Sequence, residues 1–227
     1  MLKNLLKLLF PPLCYGCEEL LLKNEKKLCT ACIHHLPTTN HHLFSSNDTI
    51  NKFYGIVPLE FAFSMLYFHH DGIVQKLIHQ LKYKGKQEIG SYLGNKYSLE
   101  LKEVLKTHNL DYIIPVPIHP KRLKERGYNQ VETFCLALSE NLEIPYNNSL
   151  LYRNKYSKTQ TKKNKIERQE NDTILFDIYD NSNFQGKHFL LIDDVITTGA
   201  TIELCTKALL KIHNAKVSVI TIAYTQS

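Results

Sequence analysis

Two adjacent aspartates, Asp193 and Asp194, follow the apolar run "HFLLI" and precede "VITTGATI". Ionised carboxylates accept hydrogen bonds and donate none, so a neighbouring pair can grip two hydroxyls. Thr197, Thr198, Gly199, Ala200 and Thr201 come next. In such a stretch the glycine lets the backbone approach a ligand, and free amides at a helix start converge with threonine hydroxyls on one point. That is an anion cradle, favoured further by the helix dipole. It is not a Walker loop, because the Gly-Lys-Ser/Thr ending is missing. Carboxylates beside an anion site would repel the anion unless something stands between them. A phosphorylated sugar resolves the conflict, with its hydroxyls on the acids and its phosphate in the loop.

A second constellation lies near the N-terminus. Cys14-x-x-Cys17 and Cys29-x-x-Cys32 are two knuckles separated by eleven residues, a pattern that can place four thiolates around Zn²⁺. Four protein ligands leave no open position, so such a zinc is structural and orders a segment too small to hold itself together. A redox dithiol or four reduced thiols are the alternatives. Cys135 and Cys205 lie alone on apolar helix faces and are expected in the core. Six cysteines so arranged do not form a secreted disulfide framework, and a reducing cytoplasm fits them. His34, His35, His41 and His42 are expected as exposed residues of a polar connection.

Three basic segments could meet anions. "PVPIHPKRLKERGYNQ" places Lys121, Arg122, Lys124 and Arg126 at a helix start, which the dipole disfavours unless an anion is bound there. Gly127 allows the tight turn that follows. "RNKYSKTQTKKNKIERQEN", from Arg153 to Asn171, has the composition of a mobile hood over a phosphorylated substrate, of a solvated loop, or of a nucleic-acid contact. "HQLKYKGK" interleaves Tyr83 with Lys82, Lys84 and Lys86, which suits either a single strand of nucleic acid or a solvated helix end.

The elements that must position these residues follow from periodicity. Strands are expected over Phe61–Phe68, Tyr112–Ile118, His188–Asp193 and Ala215–Tyr224. Helices are expected over "IVQKLIHQLKY", over Ile89–Leu105, on the face marked by Val131, Phe134, Cys135, Leu138 and Leu142, and on that marked by Ile202, Cys205, Ala208, Leu209 and Ile212. Continuous apolar strands separated by amphipathic helices indicate a mainly parallel α/β sheet covered on both faces, with ligands at the carboxyl ends of the strands. Residues 1–50 are assigned to an N-terminal amphipathic helix, the four-cysteine zinc module and a polar linker, and residues 51–227 to the main domain. No apolar run reaches a membrane span, and "MLKNLLKLLFPP" is interrupted by lysines and stopped by two prolines rather than ending in a cleavage site. Twenty-eight basic against 22 acidic residues, a formal charge of +6, mildly favour anionic partners.

The stretch from Phe189 to Ile202 closely resembles the phosphoribosyl-pyrophosphate (PRPP) signature of type I phosphoribosyltransferases. The resemblance implies that Asp193 and Asp194 bind the ribose hydroxyls and Thr197, Thr198, Gly199, Ala200 and Thr201 the 5-phosphate. It implies that Pro117 to Lys121, including His119, contact the pyrophosphate. "KYKG", "PVPIHPKRLKERGYNQ", the spacing of Gln160, Arg168 and Asn171, and the cysteine module resemble the narrower ComF (GntX, amidophosphoribosyltransferase-like) family over nearly the whole chain. That implies a cytoplasmic protein linked to DNA uptake in natural transformation, binding PRPP with Mg²⁺. Asp193 and Asp194 would orient the ribose, Lys121 and Arg168 would receive the leaving group, and no residue stands out as a base for the acceptor. The competing implication is a non-catalytic adaptor or ligand-sensing scaffold that grips single-stranded DNA through Lys82, Tyr83, Lys84 and Lys86, alongside a helicase-like competence partner. Two departures from relatives stand out. Lys163 occupies a position that is usually apolar, and "TTNHH" stands where relatives carry a further cysteine pair.

Overall fold

The computed structural model describes residues 11–154, 175–179 and 182–226. Four parallel strands form the central sheet in the order β1 (Ala62–Phe68), β6 (Lys216–Thr225), β5 (His188–Ile196), β2 (Tyr112–Pro115). Side chains alternate across a strand, so β5 sends Leu190 and Ile192 into one core and Phe189 and Leu191 into the other. The first core is covered by α3 (Ile73–Tyr83), α4 (Glu88–Leu105) and α6 (Glu132–Leu142), and the second by α7 (Ala200–Leu209). Cys135 and Cys205 are both fully buried in these cores. A separate antiparallel pair, β3 (Leu151–Arg153) with β4 (Phe176–Ile178), flanks the second core.

Two strand ends differ from the sequence expectation, and the difference shapes the site. The run "YIIPVPI" forms a strand only as far as Pro115, because Pro115 and Pro117 have no N–H with which to continue a ladder. β5 instead continues beyond Asp193 to Ile196, its register with β6 reaching Ile196 opposite Tyr224. β5 therefore outruns β2, whose last register partner is Ile192. The ground above Pro115 is left open for a ligand.

The exposed polar connection expected from Thr38 to Asn51 is instead folded onto the sheet. It contains a 3-10 turn at His41–Leu43 and a short helix α2 (Asp48–Asn51), whose amides at Thr49 and Ile50 are capped by the Asn47 carboxamide. His41 and His42 are buried, which corrects their placement as exposed linker histidines; His34 and His35 are exposed as expected. The cause is a buried polar chain. His41 Nδ1 lies 2.9 Å from Thr49 Oγ1, which lies 2.8 Å from Ser64 Oγ, itself 2.8 Å from Thr221 Oγ1. Polar groups enter a core when each meets a partner, and hydropathy alone does not register that pairing.

The cysteine segment joins the same body. Cys14, Leu28, Cys32 and Leu36 pack in the first core together with Leu77, Leu81 and Ile89. A short helix α1 (Thr30–His34) carries Cys32 inward. Met1–Phe10, where an amphipathic helix is expected, lies outside the described residues. Among the described residues no helix is long and apolar enough to cross a membrane.

Candidate functional site

Asp193 and Asp194 sit at the carboxyl end of the sheet, 8% and 4% exposed, on the open part of β5. Burial, and next the neighbouring Asp194 charge, push the Asp193 carboxyl up to about 8, although the Asp194 amide donates to its Oδ1 at 2.8 Å. Two ionised carboxylates this close are costly without a counter-charge. Lys82, at the end of α3, supplies one, its Nζ lying 3.0 Å from Asp194 Oδ1. Asp194 Oδ2 is buried and meets no hydrogen-bond donor among the described residues. A buried acceptor left open among the described residues is one that a donor could still meet.

The loop after β5 runs directly into a helix N-terminus. Gly199 adopts φ 86°, ψ −7° immediately before α7, a left-handed conformation that disfavours a side chain. A Cβ there would also stand 3.0 Å from Phe53 Cε1. Thr197, Thr198, Ala200 and Thr201 are exposed, so their amides and hydroxyls are open to a ligand at the N-terminus of this ten-residue helix.

A cavity of about 530 Å³ connects these parts. Asp193, Asp194, Thr197 and Thr201 form one wall, and Pro117, His119, Arg122 and Arg126 form the opposite one. The second wall comes from the turn after β2 and from α5 (Pro120–Arg126). His119 caps that helix, its Nδ1 accepting the Lys121 amide at 3.1 Å. Lys121 is not brought to the cavity; its side chain is 79% exposed and lies 3.9 Å from Glu125. Arg122 and Arg126, one and five positions further along, face the cavity instead.

Arg153, at the end of β3, also lines the cavity. Its Nε is buried without a hydrogen-bond partner among the described residues, and its guanidinium, stacked over Phe176 at 5.2 Å, is shifted downward by burial and by the Arg122 charge. Among the described residues no carboxylate pairs with Arg122, Arg126 or Arg153. Among the described lining residues, Lys82, Arg122, Arg126 and Arg153 outnumber the two acids, Asp193 and Asp194. The sequence marks Arg153 only as the first residue of a possible hood. Its role in the wall follows from the β3–β4 pairing, which no local pattern shows. Gln160, Lys163, Arg168 and Asn171 lie outside the described residues.

The basic island of α3 divides in two. Lys82 and Tyr83 both line the cavity, Tyr83 being 67% exposed with the Arg126 guanidinium 5.6 Å from its ring centroid. Lys84 is exposed, and the Lys86 ammonium lies 5.7 Å from the centre of the Tyr15 ring.

The four cysteines converge. The Sγ atoms of Cys14, Cys17, Cys29 and Cys32 all lie within 4.8 Å of one another, with Cys17 and Cys29 sulfurs 3.7 Å apart. A tetrahedral Zn²⁺ with Zn–S bonds of about 2.3 Å requires sulfurs about 3.8 Å apart. Backbone amides already point at the sulfurs, with Gly16 and Cys29 donating to Cys14 Sγ at 3.3 and 3.2 Å and Cys32 donating to Cys29 Sγ at 3.4 Å. Such bonds favour thiolates. The four residues could hold a metal ion, and the all-sulfur set suits structural zinc.

The chain is similar to known proteins over most of its length. The phosphoribosyl transferase domain family matches residues 129–226. The chain is 30% identical over 200 residues to the DNA utilization protein YhgH of Escherichia coli (strain K12), covering 87% of this chain and 84% of that one. It is 28% identical over 198 residues to competence protein ComFC of Bacillus subtilis (87% and 78% covered) and 33% identical over 147 residues to competence protein F of Haemophilus influenzae (63% and 64% covered). The parallel sheet with helices on both faces is thus a type I phosphoribosyltransferase-like fold. With nearly all of its length aligned to such relatives, the chain belongs to the ComF family of phosphoribosyltransferase-like proteins.

Proposed function

We propose that the chain binds PRPP with Mg²⁺ and transfers or senses its phosphoribosyl group in the handling of DNA taken up by a cytoplasmic competence system. The observation that carries this reading is the orphaned Oδ2 of Asp194, buried at the carboxyl end of β5 beside a solvent-open phosphate cradle and opposite three arginines that no described carboxylate pairs. A ribose 5-phosphate bearing a diphosphate matches each of these in turn. Its vicinal hydroxyls would donate to the two carboxylates, its 5-phosphate would receive the amides and hydroxyls of Thr197 to Thr201, and its diphosphate would face Arg122, Arg126 and Arg153. When bound, Mg²⁺ would supply positive charge to the diphosphate. The chain's own contribution is position and fixed charge. The acids hold the sugar as it turns positive at its C1 carbon, and the arginine wall stabilises the departing diphosphate. The DNA role rests on what the relatives are called, and zinc in the four-cysteine site rests on its sulfur geometry.

Titration calorimetry of magnesium PRPP into wild type and an Asp193→Asn, Asp194→Asn double variant tests the pocket. Binding to wild type that is lost in the folded variant is the expected result, and no binding to wild type overturns the reading. Pyrophosphate release in the presence of candidate acceptors then separates a transferase from a sensor.

A second reading, an adaptor that grips single-stranded DNA, draws on the names of the relatives and on the exposed Lys84 beside Tyr83. It predicts binding that falls steeply with salt and weakens in a Lys84→Ala, Lys86→Ala variant. Binding indifferent to both would eliminate it. A helicase-like competence partner belongs to this reading.

A further inference from the structure

We propose that Lys82 is a member of the ligand site, the counter-charge to the buried aspartate pair beneath a sugar, and that Tyr15 of the cysteine segment positions it through Gln80. The proposal rests on the PRPP reading for the identity of the ligand. Its geometric basis is independent of that reading.

The Lys82 side chain is 25% exposed and the Asp194 side chain 6%, at an Nζ–Oδ1 distance of 3.0 Å. Burying an ion pair costs desolvation of both partners, so a pair that also leaves one carboxylate oxygen unmet is a poor device for stability alone. A poised acceptor accounts for the arrangement. Strand alternation puts Asp194 on the face of Leu190 and Ile192, the face on which α3 packs. Lys82 reaches it from the last turn of α3, where the helix dipole also favours a cation.

That last turn is held from two sides. Tyr128, in the chain after α5, donates its hydroxyl to the Leu81 carbonyl at 2.5 Å. From the other side Gln80 Nε2 donates to the Tyr15 carbonyl at 2.6 Å. Tyr15 lies between Cys14 and Cys17, its hydroxyl donating to Glu88 at the start of α4 and its ring flanked by the Lys27 and Lys86 ammonium groups. Gly16 leaves no space beside it, since a Cβ would stand 2.8 Å from Cys32 Sγ and 3.1 Å from Ile73 Cγ2, at the first residue of α3. The cysteine segment thus touches both ends of the helix that carries Lys82.

Other charged or titratable groups face the acids from every neighbouring element. His79 belongs to α3 itself, His119, Arg122 and Arg126 come from the β2–α5 wall, Arg153 from β3, Cys135 from α6, and Cys205 from α7. Among the described residues, Lys82 alone makes an ion pair with either aspartate. Removing it leaves two buried carboxylates with no counter-charge among the described residues, which favours protonation of the pair further.

The test combines binding with direct titration of the carboxyls. Magnesium PRPP is titrated calorimetrically into wild type, Lys82→Met, Lys82→Arg and Gln80→Leu from pH 6 to pH 9. Carbon-13 shifts of labelled aspartate carboxyls are followed over the same range without ligand, and melting curves confirm the fold. Lys82→Met is expected to bind about tenfold or more weakly at pH 7 and to recover much of the loss at pH 9, with Asp194 or its partner titrating at least about one unit higher. Lys82→Arg restores most of the affinity, and Gln80→Leu shows a smaller loss with the same recovery at high pH. A loss in Lys82→Met that is equal at every pH, or carboxyl titrations unchanged in that variant, overturns the role of Lys82. Wild-type behaviour of Gln80→Leu overturns the link to Tyr15. If wild type binds no PRPP, the functional reading falls, and the carboxyl titration still decides whether Lys82 sets the charge of Asp194.

Discussion

Asp193 carries an electrostatic cost that the folded chain retains. Burial and the Asp194 charge push its carboxyl up to about 8 in the fold, from about 3.9 in an unfolded chain. The folded state therefore holds the proton more tightly, and the associated stability is complete below about pH 4 and is lost as pH rises toward 8. Asp193→Asn removes this dependence. Urea unfolding at pH 5 and pH 8 should show wild type losing about 1 kcal/mol or more relative to the variant over that interval. Any donor that prefers the ionised carboxylates reverses the sign for binding, so sugar-phosphate affinity should strengthen across the same interval with release of protons. Gly199 yields another prediction at this scale. Gly199→Ala must hold φ 86° and push against Phe53, which should cost about 1–2 kcal/mol in denaturant midpoints and weaken phosphate binding further. The two acids and the loop are legible in the sequence because strand, carboxylates and glycine are contiguous. Lys82 is legible only as one charge in a basic island. Its direction depends on the packing of α3 against β5, elements far apart along the chain, and periodicity carries no such information.

At the scale of elements, helix and strand identities follow from the chain, whereas the ends that matter are set by pairing. Pro115 can be seen to end a strand, but the extension of β5 to Ile196 depends on β6 lying beside it to supply hydrogen bonds. The stretch from Thr38 to Asn51 shows the opposite failure. Its histidines, threonines and asparagines look solvated, yet the chain from His41 through Thr49 and Ser64 to Thr221 binds it to the sheet. Thr49→Val removes the central link while keeping the shape. It leaves His41 Nδ1 without this partner and Ser64 Oγ with Thr221 only, and we expect a loss of about 1–3 kcal/mol in unfolding free energy, larger than a surface threonine would give. The basic character of α5 also makes sense at this level. The helix geometry turns Arg122 and Arg126, rather than Lys121, toward the cavity.

For the whole molecule, composition divides the chain into a small head and a large domain, because the cysteines and a polar stretch mark a change. Packing draws the line differently, because Cys14, Leu28, Cys32 and Leu36 share one core with the helices on that face of the sheet. Deleting residues 1–36 should therefore expose Leu77, Leu81 and Ile89 and yield an aggregating product rather than a stable fragment. Chelation should release about one zinc per chain and lower the melting temperature of the entire cooperative transition. Separate transitions for head and body in calorimetry would contradict both expectations. The wedge formed by Gly16, Tyr15 and their neighbours has a consequence for descent as well. A head segment exchanged between diverged relatives would arrive without its matched Gln80, Glu88 and Ile73, so recombination at the composition boundary should produce inactive hybrids. Residues far apart along the chain are then inherited as one block.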